Sequence, residues 1–320
     1  ADMTEAVERY MVLPAGASVT VALWVALTYL VDAVDVLPRL LLTSPTRECG
    51  KTRLLALIGA LVHRALPAAS ISPAALFRAI DAASPTLILD EMDNARLTEN
   101  PELRALLNSG HSRTSAWTVR NVGEQHEPRR FSTWAPLAFA CIGTLPDTVA
   151  SRCVRVAMRR RAPGQRVARL RESRISAELD PLRRRLARWT RDHAEEICRA
   201  DPQVPEGLGD READNWTPLM AIADAIGARW PDAARRAALA MSGVVDDEEP
   251  AILLLADLRE LLTERKTDRL ASQDIVSSLA KLEGRPWPEW QGGKALTVRG
   301  LARLLKRFGV EPRTVKFPDG

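Results

Sequence analysis

The sequence predicts an α/β chain: a parallel sheet wrapped by helices, followed by a smaller, mostly helical end. Three observations carry that prediction. An apolar run, Arg39-Leu40-Leu41-Leu42-Thr43-Ser44, enters the turn Pro45-Thr46-Arg47-Glu48-Cys49-Gly50 and then a helical pattern beginning near Lys51. A second apolar run, Thr86-Leu87-Ile88-Leu89, follows a helical stretch, Ala74 to Ala83, and ends in Asp90-Glu91. Strands alternating with helices through short turns are the signature of a parallel, doubly wound sheet. Past the acidic run Asp246-Asp247-Glu248-Glu249-Pro250, which reads as a linker, the apolar spacing is helical almost to the end.

Residues 1–36 read as an N-terminal helical segment outside the sheet. Its longest apolar stretch, Val19 to Val31, is interrupted by threonines and closed by Asp32, which suits a buried helix and is too short to span a membrane. Residues 37–160 read as the sheet core. Within them Pro67 and the segment Ser70–Pro73 break the chain after the first core helix, and Asn100-Pro101-Glu102 opens a later helix with a cap, a proline at the first position and an acid in the first turn. Ser112 to Phe131 alternates polar and apolar residues around Asn121-Val122-Gly123, a hairpin pattern carrying Arg113, Arg120, Arg129 and Arg130. Two more strands are expected, Pro136 to Thr144 and Cys153 to Met158.

Residues 161–245 read as a helical lid. Thirteen arginines and six acids lie between Arg159 and Arg199, interleaved with Leu182, Leu186 and Trp189, a composition that suits either a phosphodiester-binding face or a salt-bridged helix surface. Trp216 to Ala240 reads as two helices with Leu219, Ile222, Ala223 and Ile226 inward. Residues 246–320 read as winged-helix-like: helices over Ala251–Leu262, Ser272–Lys281 and Thr297–Phe308, then a closing strand or wing from Val310 to Phe317. The third helix carries Arg299, Arg303, Lys306 and Arg307, with Arg313 and Lys316 in the wing, against the single acid Glu311; such a helix suits a DNA groove or backbone.

Composition sets the outer bounds. With 46% apolar and 27% charged residues and a net charge of +4, the chain is of an ordinary soluble globular class, and any nucleic-acid affinity must come from local clusters. Cys49, Cys141, Cys153 and Cys198 are scattered, and His63, His111, His126 and His193 have no ligand spacing, so neither disulfides nor a zinc site is expected. The start, Ala1-Asp2-Met3, shows no signal-peptide pattern, and the expected setting is cytoplasmic.

The chemistry is concentrated at the first turn. In the phosphate-binding pattern G-x-x-x-x-G-K-[ST], the second glycine admits backbone close to phosphate, the lysine reaches the β and γ oxygens, and the hydroxyl ligates Mg²⁺. Gly50, Lys51 and Thr52 supply those parts, with Cys49 beside them, while Pro45 replaces the first glycine. Asp90 is placed to hold Mg²⁺ and Glu91 to orient or deprotonate an attacking water. Alone, each stretch also reads as a polar turn before a helix or a strand ending in a solvated acidic turn. In this order, about forty residues apart, they favour a P-loop site for ATP and Mg²⁺. Thr144, ending a further strand, is placed to sense the γ-phosphate.

Gly143-Thr144-Leu145-Pro146 before Ser151-Arg152 resembles AAA+ ATPases of the helicase branch that includes superfamily 3 and MCM-type motors. The chain from Leu23-Trp24-Val25 to Leu301–Leu305, with Asp214-Asn215-Trp216-x-Pro218-Leu219 and Arg285-Pro286-Trp287, resembles a primase-associated ATPase domain of actinobacterial, phage and plasmid proteins. The resemblance implies that Arg152 acts in trans on the γ-phosphate of a neighbouring subunit, worth roughly 10³–10⁵ in rate. It also implies a homo-oligomeric ring such as a hexamer, a primase–polymerase module as partner, DNA as substrate, and a helicase or translocase role in replicating a phage, plasmid or integrated element. The hairpin, with Arg113 and Arg120, would then line the channel. Two other classes fit parts of the pattern: a nucleotide-switch initiator or loader that binds DNA without unwinding it, and a small-molecule phosphotransferase.

Overall fold

A computed structural model describes residues 2–44, 48–68, 71–90, 92, 99–142, 145–162, 164–242, 248–282, 285–290, 294–306 and 308–311. The chain divides into two compact units, one holding Ala1–Ser44 and Glu48–Val244, the other Val245–Gly320.

The first unit is built on a five-stranded sheet. Strand β1 (Arg39–Ser44) is central: β6 (Leu137–Ile142) and β7 (Cys153–Ala157) pair with it in parallel on either side. Strand β3 (Thr86–Leu89) lies beyond β6, and β2 (Ala65–Ala68) beyond β3, giving the order β2-β3-β6-β1-β7. An unbroken apolar run suits a central parallel strand because both its faces are covered. Side chains alternate across the pleat. Leu40 and Leu42 of β1 join one core cluster, and Leu41 the other.

Each cluster has its own helices. On one side lie α1 (Asp2–Tyr10), α2 (Ala17–Leu27) and α3 (Lys51–Gly59); on the other, α4 (Pro73–Ala83), α5 (Pro101–Ser109) and the short α6 (Asp147–Ala150). The hairpin strands β4 (Trp117–Val122) and β5 (Glu127–Ser132) leave the second side. Helix α2 is apolar all round and buried, as expected for Val19 to Val31. The threonines that interrupt it are satisfied locally: Thr20 Oγ1 donates to the Gly16 carbonyl and Thr28 Oγ1 to that of Val25. At Gly16 (φ 82°) a later helix crosses closely, since a Cβ there would stand 3.0 Å from Ala237 Cα.

Three longer helices complete this unit: α7 (Glu172–Cys198), α8 (Asp210–Ile226) and α9 (Trp230–Ser242). Residues 161–245 read as a lid in the sequence. Helices α8 and α9, within that span, bury Trp216, Leu219, Met220, Ile222 and Ala237 in the cluster that α2 and β7 share. Helix α7 runs unbroken through Pro181, with Ile175, Leu179, Leu182, Leu186 and Trp189 on the same cluster. Its arginines favour the salt-bridged reading of that segment: Arg184 pairs with Asp180, Arg188 with Asp192 and Arg199 with Glu195.

Strand β2 is absent from the sequence reading, where Pro67 served as a breaker. Proline is tolerated at the edge of a sheet, where its missing N–H removes no interior bond, and β2 is the outermost strand. The hairpin turn is Gly123 to His126, two residues past its expected centre, with positive φ at both ends of the turn.

The second unit holds α10 (Glu248–Glu264), α11 (Ser272–Leu279) and α12 (Val298–Lys306) around Leu254, Leu279, Trp287, Leu301 and Leu304. Asp257 is buried but doubly held, accepting from Trp287 Nε1 at 2.6 Å and pairing with Arg285 at 2.7 Å. That contact gives Arg285-Pro286-Trp287 a structural role. The expected wing lies mostly outside the described residues, as do Arg307, Arg313 and Lys316.

Candidate functional site

Crevices at the carboxyl ends of parallel strands, where the connections diverge, are the usual ligand sites of open α/β sheets. Here the connection after β1 runs toward β2, whereas the one after β6 crosses β1 to reach β7. The divergence therefore falls between β1 and β6. The segment leading to α3 begins at this edge.

Gly50 caps α3 in the left-handed region (φ 85°), and a Cβ there would come 3.1 Å from Met11 Cε, so the position suits glycine. Lys51 is the first residue of α3, and its ammonium donates to the hydroxyl of Ser44 at the end of β1. Burial pushes the Lys51 pKa down, opposed by Cys49, Cys141 and Asp90 nearby. Asp90 follows β3, two strands from β1. The chain beyond it is drawn toward β6, where the Met92 N–H donates to the Ala140 carbonyl at 2.9 Å. Asp90 is thus near enough for its charge to act on Lys51, with exposed Thr52 one residue on from Lys51 and buried Cys49 two residues before it. Glu48, with φ 62°, pairs with Arg160 at 2.9 Å. Glu91, Thr144 and Pro45 lie outside the described residues.

Arg152 stands at the opposite edge. Cys153 pairs in register with Arg39, the first residue of β1. Five strand steps at about 3.3 Å separate that end from Ser44, roughly 17 Å. The Arg152 guanidinium donates to the Thr148 carbonyl, and burial, then the neighbouring Arg211, hold its pKa below the ordinary value.

The hairpin sorts its arginines by face. Arg113 precedes it in a 3-10 turn, where its guanidinium donates to the carbonyls of Val34 and Val31 at 3.0 and 2.7 Å and lies over Trp134. Arg120 pairs with Glu102 of α5 at 2.6 Å and lies over Phe77; Arg129, directly opposite Arg120, pairs with Asp81 of α4 at 3.5 Å. Like charges facing each other across strands repel, and these acids offset that. The other face carries Arg130 stacked over Trp117 at 3.9 Å, with Val119 exposed. Trp117 escaped the sequence reading; its signal is the parity that sets it on the face opposite Phe131. In the second unit Arg299, Arg303 and Lys306 share the exposed side of α12, opposite Leu301 and Leu304, and none has an ion-pair partner among the described residues.

The family described as "Protein of unknown function (DUF3631)" matches residues 157–320, just over half of the chain. The chain belongs to that family. The DUF3631 match takes in α7 to α12, while Lys51 and Asp90 precede it. Among curated proteins, an "Uncharacterized 28.9 kDa protein in xis 5'region" of Saccharopolyspora erythraea is 37% identical over 166 residues, 51% of this chain. The match spans 61% of that relative's length. Among solved structures, "The X-ray structure of JCV Helicase" and its inhibitor-bound form are 14% and 12% identical, each with a TM-score of 0.32, over 77% of this chain and 61% of theirs. Likeness at that score is too low to bear on function, so the functional reading rests on the residues above.

Proposed function

We propose that the chain is an ATP-hydrolysing motor of the AAA+ helicase branch that works on DNA. The observation that carries the reading is the place of Lys51, first in α3 and bonded to Ser44 at the carboxyl end of β1, beside the point where the sheet's connections diverge, with Asp90 near enough past β3 to act on its charge. The residues present suit the ligand. Gly50 leaves backbone open to phosphate, Lys51 supplies a half-buried cation, and one hydroxyl with one carboxylate matches the way Mg²⁺ is held, by few protein ligands plus the phosphates.

In this reading Lys51 exchanges Ser44 for the β and γ oxygens, which suits an ammonium held by a neutral partner. Thr52 and Asp90 would hold Mg²⁺, whose charge would offset that of the phosphates. Glu91 orients and deprotonates the attacking water, and Thr144 contacts the γ-phosphate. Arg152, roughly 17 Å from its own loop by strand rise, serves the site of a neighbouring copy in a ring, where it stabilises charge on the transferring group. The outer hairpin face, Arg130 with Trp117, meets the strand in the channel, with Arg120 joining only by giving up Glu102. The α12 row of Arg299, Arg303 and Lys306 holds duplex or forked DNA, with Arg307 and the wing completing a winged-helix unit. A replication role beside a primase–polymerase module belongs to the same reading.

The test is ATP hydrolysis against protein concentration, with and without single-stranded DNA at low salt. Specific activity that rises with concentration and with DNA, and falls at least a hundredfold in Lys51→Ala and in Arg152→Ala, is the expected result. Hydrolysis indifferent to DNA and to Arg152 would overturn the motor.

A further inference from the structure

Asn215 and His111 are buried polar side chains that the proposed chemistry leaves unused. Asn215, in α8, is 1% exposed and His111, just past α5, is 5% exposed. Asn215 Nδ2 donates to the carbonyl of Ser151 at 3.0 Å, the residue immediately before Arg152. That bond fixes the amide with Oδ1 toward His111 Nε2, 2.7 Å away, so His111 donates through Nε2–H. The next carbonyl is held too, since the Arg39 N–H donates to the Arg152 carbonyl at 2.9 Å.

His111 is itself anchored. Its carbonyl accepts from the Leu37 N–H at 2.9 Å, and Ser112 bridges to Val36 as the chain turns toward the hairpin. Two distant segments, one leading to the hairpin and one carrying Arg152, are therefore joined through a single amide on α8. A packing role alone would be met by apolar side chains of the same shape, which replace a matched buried pair at little penalty.

We propose that the His111–Asn215 pair positions Arg152 for its work on a neighbouring copy, with Asn215 holding the Ser151 carbonyl and His111 holding Asn215. The inference rests on the trans-acting reading of Arg152. A displacement of about 1 Å in a group serving the transition state can lower a rate a hundredfold. Losing the Ser151 bond is accordingly expected to lower turnover while leaving ATP affinity, set by the acceptor's own loop, unchanged.

Mixed subunits test this with the full chain. Acceptor Arg152→Ala keeps its loop but supplies no arginine; donor Lys51→Ala supplies the arginine but has no working loop. Equimolar mixing should restore hydrolysis. Donors that also carry Asn215→Leu should restore at least about tenfold less, with the KM for ATP unchanged. Donors that carry His111→Gln, which keeps a donor near the Nε2 position, should restore it fully. Thermal unfolding of each donor is followed in parallel. Should Asn215→Leu fail to fold, the matched apolar pair His111→Phe/Asn215→Leu takes its place. A folded donor of either kind that restores activity as well as Lys51→Ala alone would overturn the proposal. If Lys51→Ala donors restore nothing, the trans-acting reading falls first, and the positioning role with it.

Discussion

Arg39 is a buried cation whose donors go to carbonyl oxygens, two to Leu107 and one to Ala135. Burial lowers its pKa to about 10, which leaves it charged at neutral pH. Gly110 is part of the same arrangement, for a Cβ there would come within 2.1 Å of the Thr133 carbonyl. Arg39→Met should leave both acceptors bare and destabilise the chain by about 2–4 kcal/mol in urea unfolding, with Arg39→Lys recovering only part. His111 gives a pH-dependent companion. Burial, opposed by its bond to Asn215 and reinforced by Arg39, Arg152 and Arg211, lowers its pKa to about 4. The unfolded chain therefore takes up a proton, near the ordinary value of about 6.5, that the folded chain refuses. Stability from this residue is complete above about pH 6.5 and declines as the pH falls toward 4, by on the order of 3 kcal/mol. The denaturation midpoint should drop across that window in the wild type and stay flatter in His111→Gln. Neither Arg39 nor His111 is singled out by local pattern. Gly50-Lys51-Thr52 declares itself through spacing, whereas the side-chain partner of His111, Asn215, lies 104 residues away and leaves no periodic trace.

At the scale of elements, period and punctuation carried most of the fold. Strands β1 and β3 follow from uninterrupted apolar runs, and α4 and α5 begin where Ser72 and Asn100 cap them, each side chain accepting a backbone N–H. Proline misled at Pro67, which sits in an edge strand where tertiary context decides. Pro181 is likewise accommodated, inside a helix whose apolar residues before and after it share one core. The candidate hairpin was legible as a hairpin, but not which of its arginines stay open, because Glu102 and Asp81 come from other helices. The consequence is measurable. Arg130→Ala should weaken single-stranded DNA binding by about 1–3 kcal/mol through the Trp117 face and reduce the salt slope by roughly one contact. Arg113→Ala should chiefly lower stability, since its donors serve Val31 and Val34. Binding measured against salt, beside a melting curve, separates the two.

Across the whole molecule, the candidate phosphate site lies in the first unit and the basic row of α12 in the second. A division of labour follows from the proposed function. Arg299→Ala/Arg303→Ala should weaken DNA binding and DNA-stimulated hydrolysis severalfold while basal hydrolysis persists. Lys51→Ala should do the reverse, abolishing hydrolysis with DNA still retained in a gel-shift assay. No helix among the described residues is long and apolar enough to cross a membrane.

The sheet's two margins also bear on how copies can meet. On one side α8 and α9 pack against β7. On the other, β2 is four residues long and interrupted by Pro67. A strand arriving from another molecule would find a short template with a donor missing from its ladder, which resists continuous β-sheet growth. In the proposed ring, copies of this chain would then meet through side chains rather than through a continued sheet, in contacts that salt loosens.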